Sequence, residues 1–185
     1  MELLEAVNTI LPFVEERPVT SIDVRHPTVA LIIDRINFAQ ENILNEDFWF
    51  NSEQKKFYLS PEGKVAVPTN VLAMYTTDRR LNYTIRGGFV YDLDSSTYQI
   101  PAPFEARIVV SLEFNELPYW AASSVLWRAA VDAYSQDFGV AAVVQLLNSY
   151  QVLAHTKLER EHLRKKRMNS MRSPAGARFL SSLRT

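Results

Sequence analysis

The apolar residues of this chain change their period twice, and that change limits the fold more than any single motif. Val29, Ile32, Ile33, Ile36 and Ile43 recur at helical spacing, with Asp34, Arg35, Gln40 and Glu41 outside the stripe. A helix therefore begins near Thr28, just after Pro27, and ends near Asn45. From Phe48 to Phe114 the pattern breaks into short strand-like pieces: DFWFN, KFYLS, KVAVP, VLAMYTT, NYTIR, FVYD, TYQIP and ARIVVSLEF. Turn clusters such as SPEG, PTN and DLDSS part them. Helical spacing returns at Asn115, where Ala122, Val125, Leu126, Ala129 and Ala133 form a stripe that Gly139 can stop. A further stripe of Val140, Val143, Val144, Leu147, Tyr150, Ala154 and Leu158 predicts a helix running to about Met168.

A first helix precedes all of these, since Leu3, Leu4, Val7, Ile10 and Leu11 share one face up to Pro12. The order of two helices, a β insertion and two helices predicts an α+β fold. It is a bundle of about four helices with an inserted, mostly antiparallel β subdomain. Residues 1–47 and 115–168 form the helical body, 48–114 the β subdomain, and 169–185 an extended C-terminal arm broken at Pro174 and Gly176. The arm has room for a last helical turn around Phe179. At the strand-to-helix junction, Pro118 suits the first helical position with Asn115 or Glu116 as cap. Phe114 and Trp120 are expected to pack between the two parts.

Charge is distributed unevenly. Residues 157–185 carry nine Lys or Arg against Glu159 and Glu161, a net +7, while residues 1–156 carry eleven basic and nineteen acidic residues, a net −8. An acidic body with a basic end calls for an acidic partner. The absence of cysteine excludes disulfides, thiolate nucleophiles and Cys-based metal sites. The opening MELLEAV lacks the basic start of a signal peptide, and no apolar run reaches membrane-helix length, so a soluble protein is expected.

Candidate chemistry is sparse. Gly87-Gly88 would need a following helix to cradle phosphate, but FVYD follows, so the pair reads as a turn between strands. Asp92–Ser96 opens like a calcium loop, yet Thr97 stands where glycine is required and Pro103 where glutamate is. His155, Glu159 and His162 share one helical face, the spacing of a zinc grip, but in a stretch expected to face solvent. No serine sits in a Gly-x-Ser-x-Gly elbow, His26 precedes a proline, and Glu113 and Glu116 flank a helix start, where acids ordinarily cap. No catalytic, cofactor or metal site is predicted.

Four motifs in order carry a resemblance. Ala6–Leu11 (AVNTIL) is followed by Pro18-Val19-Thr20; DFWFN spans Asp47–Asn51; GGFVYD spans Gly87–Asp92; and EFNELP spans Glu113–Pro118. Over residues 1 to roughly 140 the chain resembles the tail tubular protein A family, the head-to-tail adaptors of short-tailed podoviruses. The family's motif residues fall here on Gly87, Gly88, Tyr91, Asp92, Glu113, Phe114, Asn115, Glu116 and Pro118. The resemblance implies a structural virion protein of the tail, not an enzyme. It further implies a dodecameric ring between portal and tail nozzle, with tail fibres as a further candidate partner. The genome would pass through the lumen without specific binding, and no cofactor or membrane is involved. Portal binding is read instead from charge and order. It is expected at Arg164, Lys165, Lys166, Arg167, Arg172 and Arg178, with Phe179 and Leu183 as apolar anchors. The competing reading is a DNA-binding module that uses the basic C-terminal helix and arm. Against it, base-reading Asn, Gln or aromatic residues are not interleaved with those cations.

Overall fold

Helix α1 spans Leu3–Ile10 and buries Ala6, Val7 and Ile10. The chain does not stop at Pro12 but tightens into a 3-10 turn, Leu11–Val14, and leaves it through Glu15 at φ 61°. Proline is tolerated there because the first N–H groups of a helical turn have no internal acceptor. Helix α2, Pro27–Leu44, also starts on a proline and buries Val29, Ile32, Ile36, Ala39, Ile43 and Leu44. The computed structural model describes residues 1–23, 25–139 and 142–166. The expected arm, the helix end at Met168 and the stripe member Val140 lie outside the described residues.

Five strands form: β1 Ser52–Phe57, β2 Val71–Thr76, β3 Tyr83–Arg86, β4 Phe89–Asp92 and β5 Phe104–Val110. They make a three-stranded sheet of order β1-β5-β2 and a β3-β4 hairpin, with every pairing antiparallel. Three of the eight expected pieces are not strands. KVAVP contributes only a bridge from Ala66 to Phe89, and TYQIP only one from Thr97 to Asp92. DFWFN is a turn, whose aromatic rings pack against a helix instead of alternating across a sheet. Three aromatics in so short a run suit a strand and a loop that buries one ring equally well.

Helix α3, Tyr119–Phe138, begins after Pro118, whose extended ψ of 150° places it just outside the helix. Its carbonyl accepts the Ala122 N–H at 3.0 Å. The expected cap is therefore corrected: Asn115 and Glu116 belong to a separate 3-10 turn, Phe114–Glu116. Gly139 does end the helix, at φ 70°. Helix α4 spans Ala142–Lys165.

Two apolar clusters hold the chain together. One joins α1, α2, α3 and α4 and includes Phe48 and Phe114; the other is built from the strands around Val65, Val90, Ile100, Phe104 and Ile108. Phe114 and Trp120 both pack on the helical cluster, not between the two. Leu112 is the residue that touches both. Small side chains make this possible: Ala121, Ala122, Ser124, Ala129, Ala130 and Ala133 are buried on α3. Helix α3 therefore packs along both α2 and α4, which have no comparable contact with each other.

Candidate assembly surfaces and the joint between the two clusters

The joint is polar where the two clusters meet. Asn51 is fully buried, and its Nδ2 donates to the carbonyls of Leu44 at 2.7 Å and Val110 at 3.1 Å. Its own carbonyl accepts the Val110 N–H at 2.8 Å. One side chain thus ties the end of α2 to the end of β5. Gln40 Nε2 donates to the Leu112 carbonyl at 2.8 Å, and Arg107 of β5 pairs with Asp47. The Arg107 guanidinium also lies 4.8 Å from the centre of the Tyr75 ring. Sequence reading missed Gln40, Asn51 and Arg107. The available signal was the pair of polar residues, Asp47 and Asn51, that bracket the aromatic run Phe48–Phe50.

The face with His155, Glu159 and His162 is only partly solvent-facing: Glu159 is exposed, as expected, but the two histidines are half-buried. Phe48 and Trp49 lie over the histidines: the His162 ring is 5.3 Å from Phe48 and 6.2 Å from Trp49, and Phe48 meets His155 at 6.4 Å. The Trp49 N–H donates to Nδ1 of His162 at 3.2 Å, so that nitrogen must be unprotonated. Burial holds the His162 pKa below its ordinary value; the Lys166 charge lowers it further, and Asp47 opposes both. His155 Nε2 stands 3.7 Å from Glu46 and from Glu159, and its Nδ1 is 3.3 Å from the Ser124 hydroxyl. Among the described residues no three His, Asp or Glu side chains converge in a way that could hold a metal. A cleft of about 320 Å³ beside His162 is lined by Glu46, Phe48, Glu159 and Leu163.

The motif glycines occupy the hairpin tip. Gly87 and Gly88, at φ 56° and 78°, form the two-residue turn between Arg86 and Phe89. Successive positive φ values are what the right-handed twist of paired strands requires there. Behind the tip, the Arg86 guanidinium lies 4.2 Å from the Tyr91 ring centre, and Tyr91 meets Tyr98 edge-on at 4.8 Å. Asp92 accepts the Ser95 hydroxyl and the Asp94 N–H, and these bonds hold its pKa below the usual carboxylate range. The carboxylate is thereby committed to closing a turn.

EFNELP makes a reciprocal cap. The Glu113 N–H donates to Glu116 Oε2 at 3.0 Å, and the Glu113 side chain in turn accepts the Glu116 N–H. Asn115 Oδ1 accepts the Leu3 N–H at 2.9 Å, fastening α1 to the junction. The motif therefore sets where α1 and α3 begin relative to β5.

Arg164, Lys165 and Lys166 stand exposed at the end of α4, and none is ion-paired with a described residue. Arg167, Arg172, Arg178, Phe179 and Leu183 lie outside the described residues. Earlier on α4, Leu146 is 46%, Tyr150 37% and Leu153 55% exposed. Among the described residues no helix is long and apolar enough to cross a membrane.

Exposed apolar and cationic side chains, and no metal-holding cluster among the described residues, leave the surface as the feature to compare with other proteins. A family model of tail tubular proteins matches residues 4–168, and the chain belongs to that family. It is thus a structural component of a phage tail, present in the virion. Among proteins similar to it, Tail tubular protein A of Klebsiella phage KP34 is 28% identical over 177 residues, covering 94% of this chain and 93% of that protein. The family match passes Gly139, where the recognisable sequence motifs end, and takes in all of α4.

Proposed function

We propose that this chain is the adaptor of a short-tailed phage, a subunit of a closed ring, dodecameric by family resemblance, between portal and tail nozzle. The observation that carries this reading is the family match, which runs through the helical part, the β part and the joint alike. Residues 1–47 and 115–168 act as the ring-building body, and 48–114 as a β subdomain projecting from one end. The ring works without catalysis, as part of the conduit through which the genome leaves.

Charge supports a division of surfaces. A conduit must let DNA slide, and a net −8 over residues 1–156 avoids the counterion release that makes a duplex adhere. The cationic end of α4 and the arm then turn away from the lumen, towards an acidic portal crevice. Arg164, Lys165, Lys166 and Arg167 lead that contact, followed by Arg172 and Arg178, with Phe179 and Leu183 as anchors. Imaging of the purified protein mixed with its portal tests the reading. A ring docked below the portal is expected, lost on removal of residues 164–185 and weakened as salt rises. Portal without a ring, or undiminished docking by the truncated chain, contradicts it. Salt-dependent retardation of random duplex DNA would favour the DNA-binding alternative.

A further inference from the structure

Helix α4 carries a second apolar stripe that the fold leaves largely uncovered. Leu146, Tyr150 and Leu153 follow one another at helical spacing, all exposed. The Tyr150 ring lies 4.8 Å from Trp127, and Trp127 meets Phe13 at 6.2 Å, so the stripe continues into a larger apolar patch. The same spacing brings up Lys157 and then Arg160, neither of them ion-paired with a described residue. On α2 a different stripe is exposed: Asp34 and Glu41 bracket Phe38, which is 51% exposed. Arg35 pairs with Asp34, which leaves Glu41 as the carboxylate available to a partner. Both helices pack on α3.

We propose that the α4 stripe of one copy packs against the α2 stripe of the next, Leu146, Tyr150 and Leu153 closing over Phe38 while Lys157 and Arg160 face Glu41. The inference rests on the ring reading and names the surfaces that build it. Charge selects the occupant. Two α4 stripes laid parallel would set cation against cation, and laid antiparallel would set cations against leucines. An α4–α2 contact joins unlike faces, so the association is heterologous and propagates from copy to copy until it closes. Within one chain α2 and α4 both pack on α3 and have no comparable contact with each other.

The chain has no cysteine, so introduced thiols report alone. Phe38→Cys and Leu153→Cys are placed together in the full chain, mixed with portal and treated with a short bismaleimide. A link closed within one chain adds no mass of a second copy, so only links between copies build a ladder. A ladder of covalent multimers is expected, with mass spectrometry identifying residue 38 joined to residue 153. Lys157→Glu with Arg160→Glu should lower multimer yield roughly tenfold, and adding Glu41→Lys should restore most of it. Dimers formed by Leu153→Cys alone, or links from residue 153 to portal, overturn the pairing. Rings seen by microscopy without a ladder overturn this interface and leave the ring standing. A ladder without rings supports the interface and counts against the ring. Neither rings nor ladder contradicts both.

Discussion

The two apolar faces of α4 are alike in composition and opposite in fate. Val144, Leu147, Ala154 and Leu158 are buried, Leu147 and Leu158 within the helical cluster, whereas Leu146, Tyr150 and Leu153 stay in contact with solvent. An apolar residue on this helix is therefore not by itself a core residue. The difference arises from α3, whose small side chains let α4 approach closely along one line only. One face holds the chain in its fold, and the other is left for another molecule.

Substitutions separate the two faces, and the largest effects belong to the interior. Phe114→Ala removes a ring that is 5% exposed within the helical cluster, and should cost about 3–5 kcal/mol of unfolding free energy. Leu158→Ala, at a fully buried position, should cost about 2–5 kcal/mol. Denaturant titration measures both; an unchanged midpoint in either case would mean that the inward face is not the one described. Asn51→Ala leaves two buried carbonyls without their donor and should cost about 1–3 kcal/mol. That loss would show as less cooperative unfolding if the two apolar clusters melt apart.

A smaller effect is expected from pH. His162 is on the inward side of α4 and must stay neutral to accept the Trp49 N–H. Its folded pKa lies below the unfolded value of about 6.5, so the unfolded chain binds the proton more readily. The stabilisation is complete above that unfolded value and is lost as pH falls through the range below it. Melting temperature should fall on acidification from pH 7.5 to 5.5, and His162→Asn should flatten that dependence. A rise in melting temperature over the same interval would contradict the direction of the shift.

How much of this was legible depended on the kind of signal. Long stripes placed α2, α3 and α4 because their apolar spacing persists for several turns, and Gly139 marked a helix end that only positive φ required. Gly87-Gly88 read correctly as a turn because no helix follows it. The turn at Phe48–Phe50 did not read correctly, since three aromatics in sequence suit a strand and a plug equally well. Placing them needs the partner, α4, about a hundred residues away in the chain. His155 and His162 were misplaced for the same reason: a charged stretch gives no sign that one of its faces is roofed by a distant loop. Pro118 was misread by a single position, because its fixed φ suits the first helical residue and the extended residue before it alike.

The same limit applies to the exposed stripe. Tyr150 was counted with the buried residues of α4, and Leu146 and Leu153 drew no attention, because one chain's periodicity cannot mark which of two apolar faces its own fold will cover. Single changes there should be nearly silent in stability, within about 0.5 kcal/mol for Leu153→Ser.

The most direct test of this division is the double variant Leu146→Ser with Leu153→Ser, measured for thermal stability and then imaged with portal. A melting temperature within about 2–4 °C of the unsubstituted chain is expected, together with the loss of rings. Rings as abundant as those of the unsubstituted chain would contradict it, because the exposed stripe would then have no part in assembly.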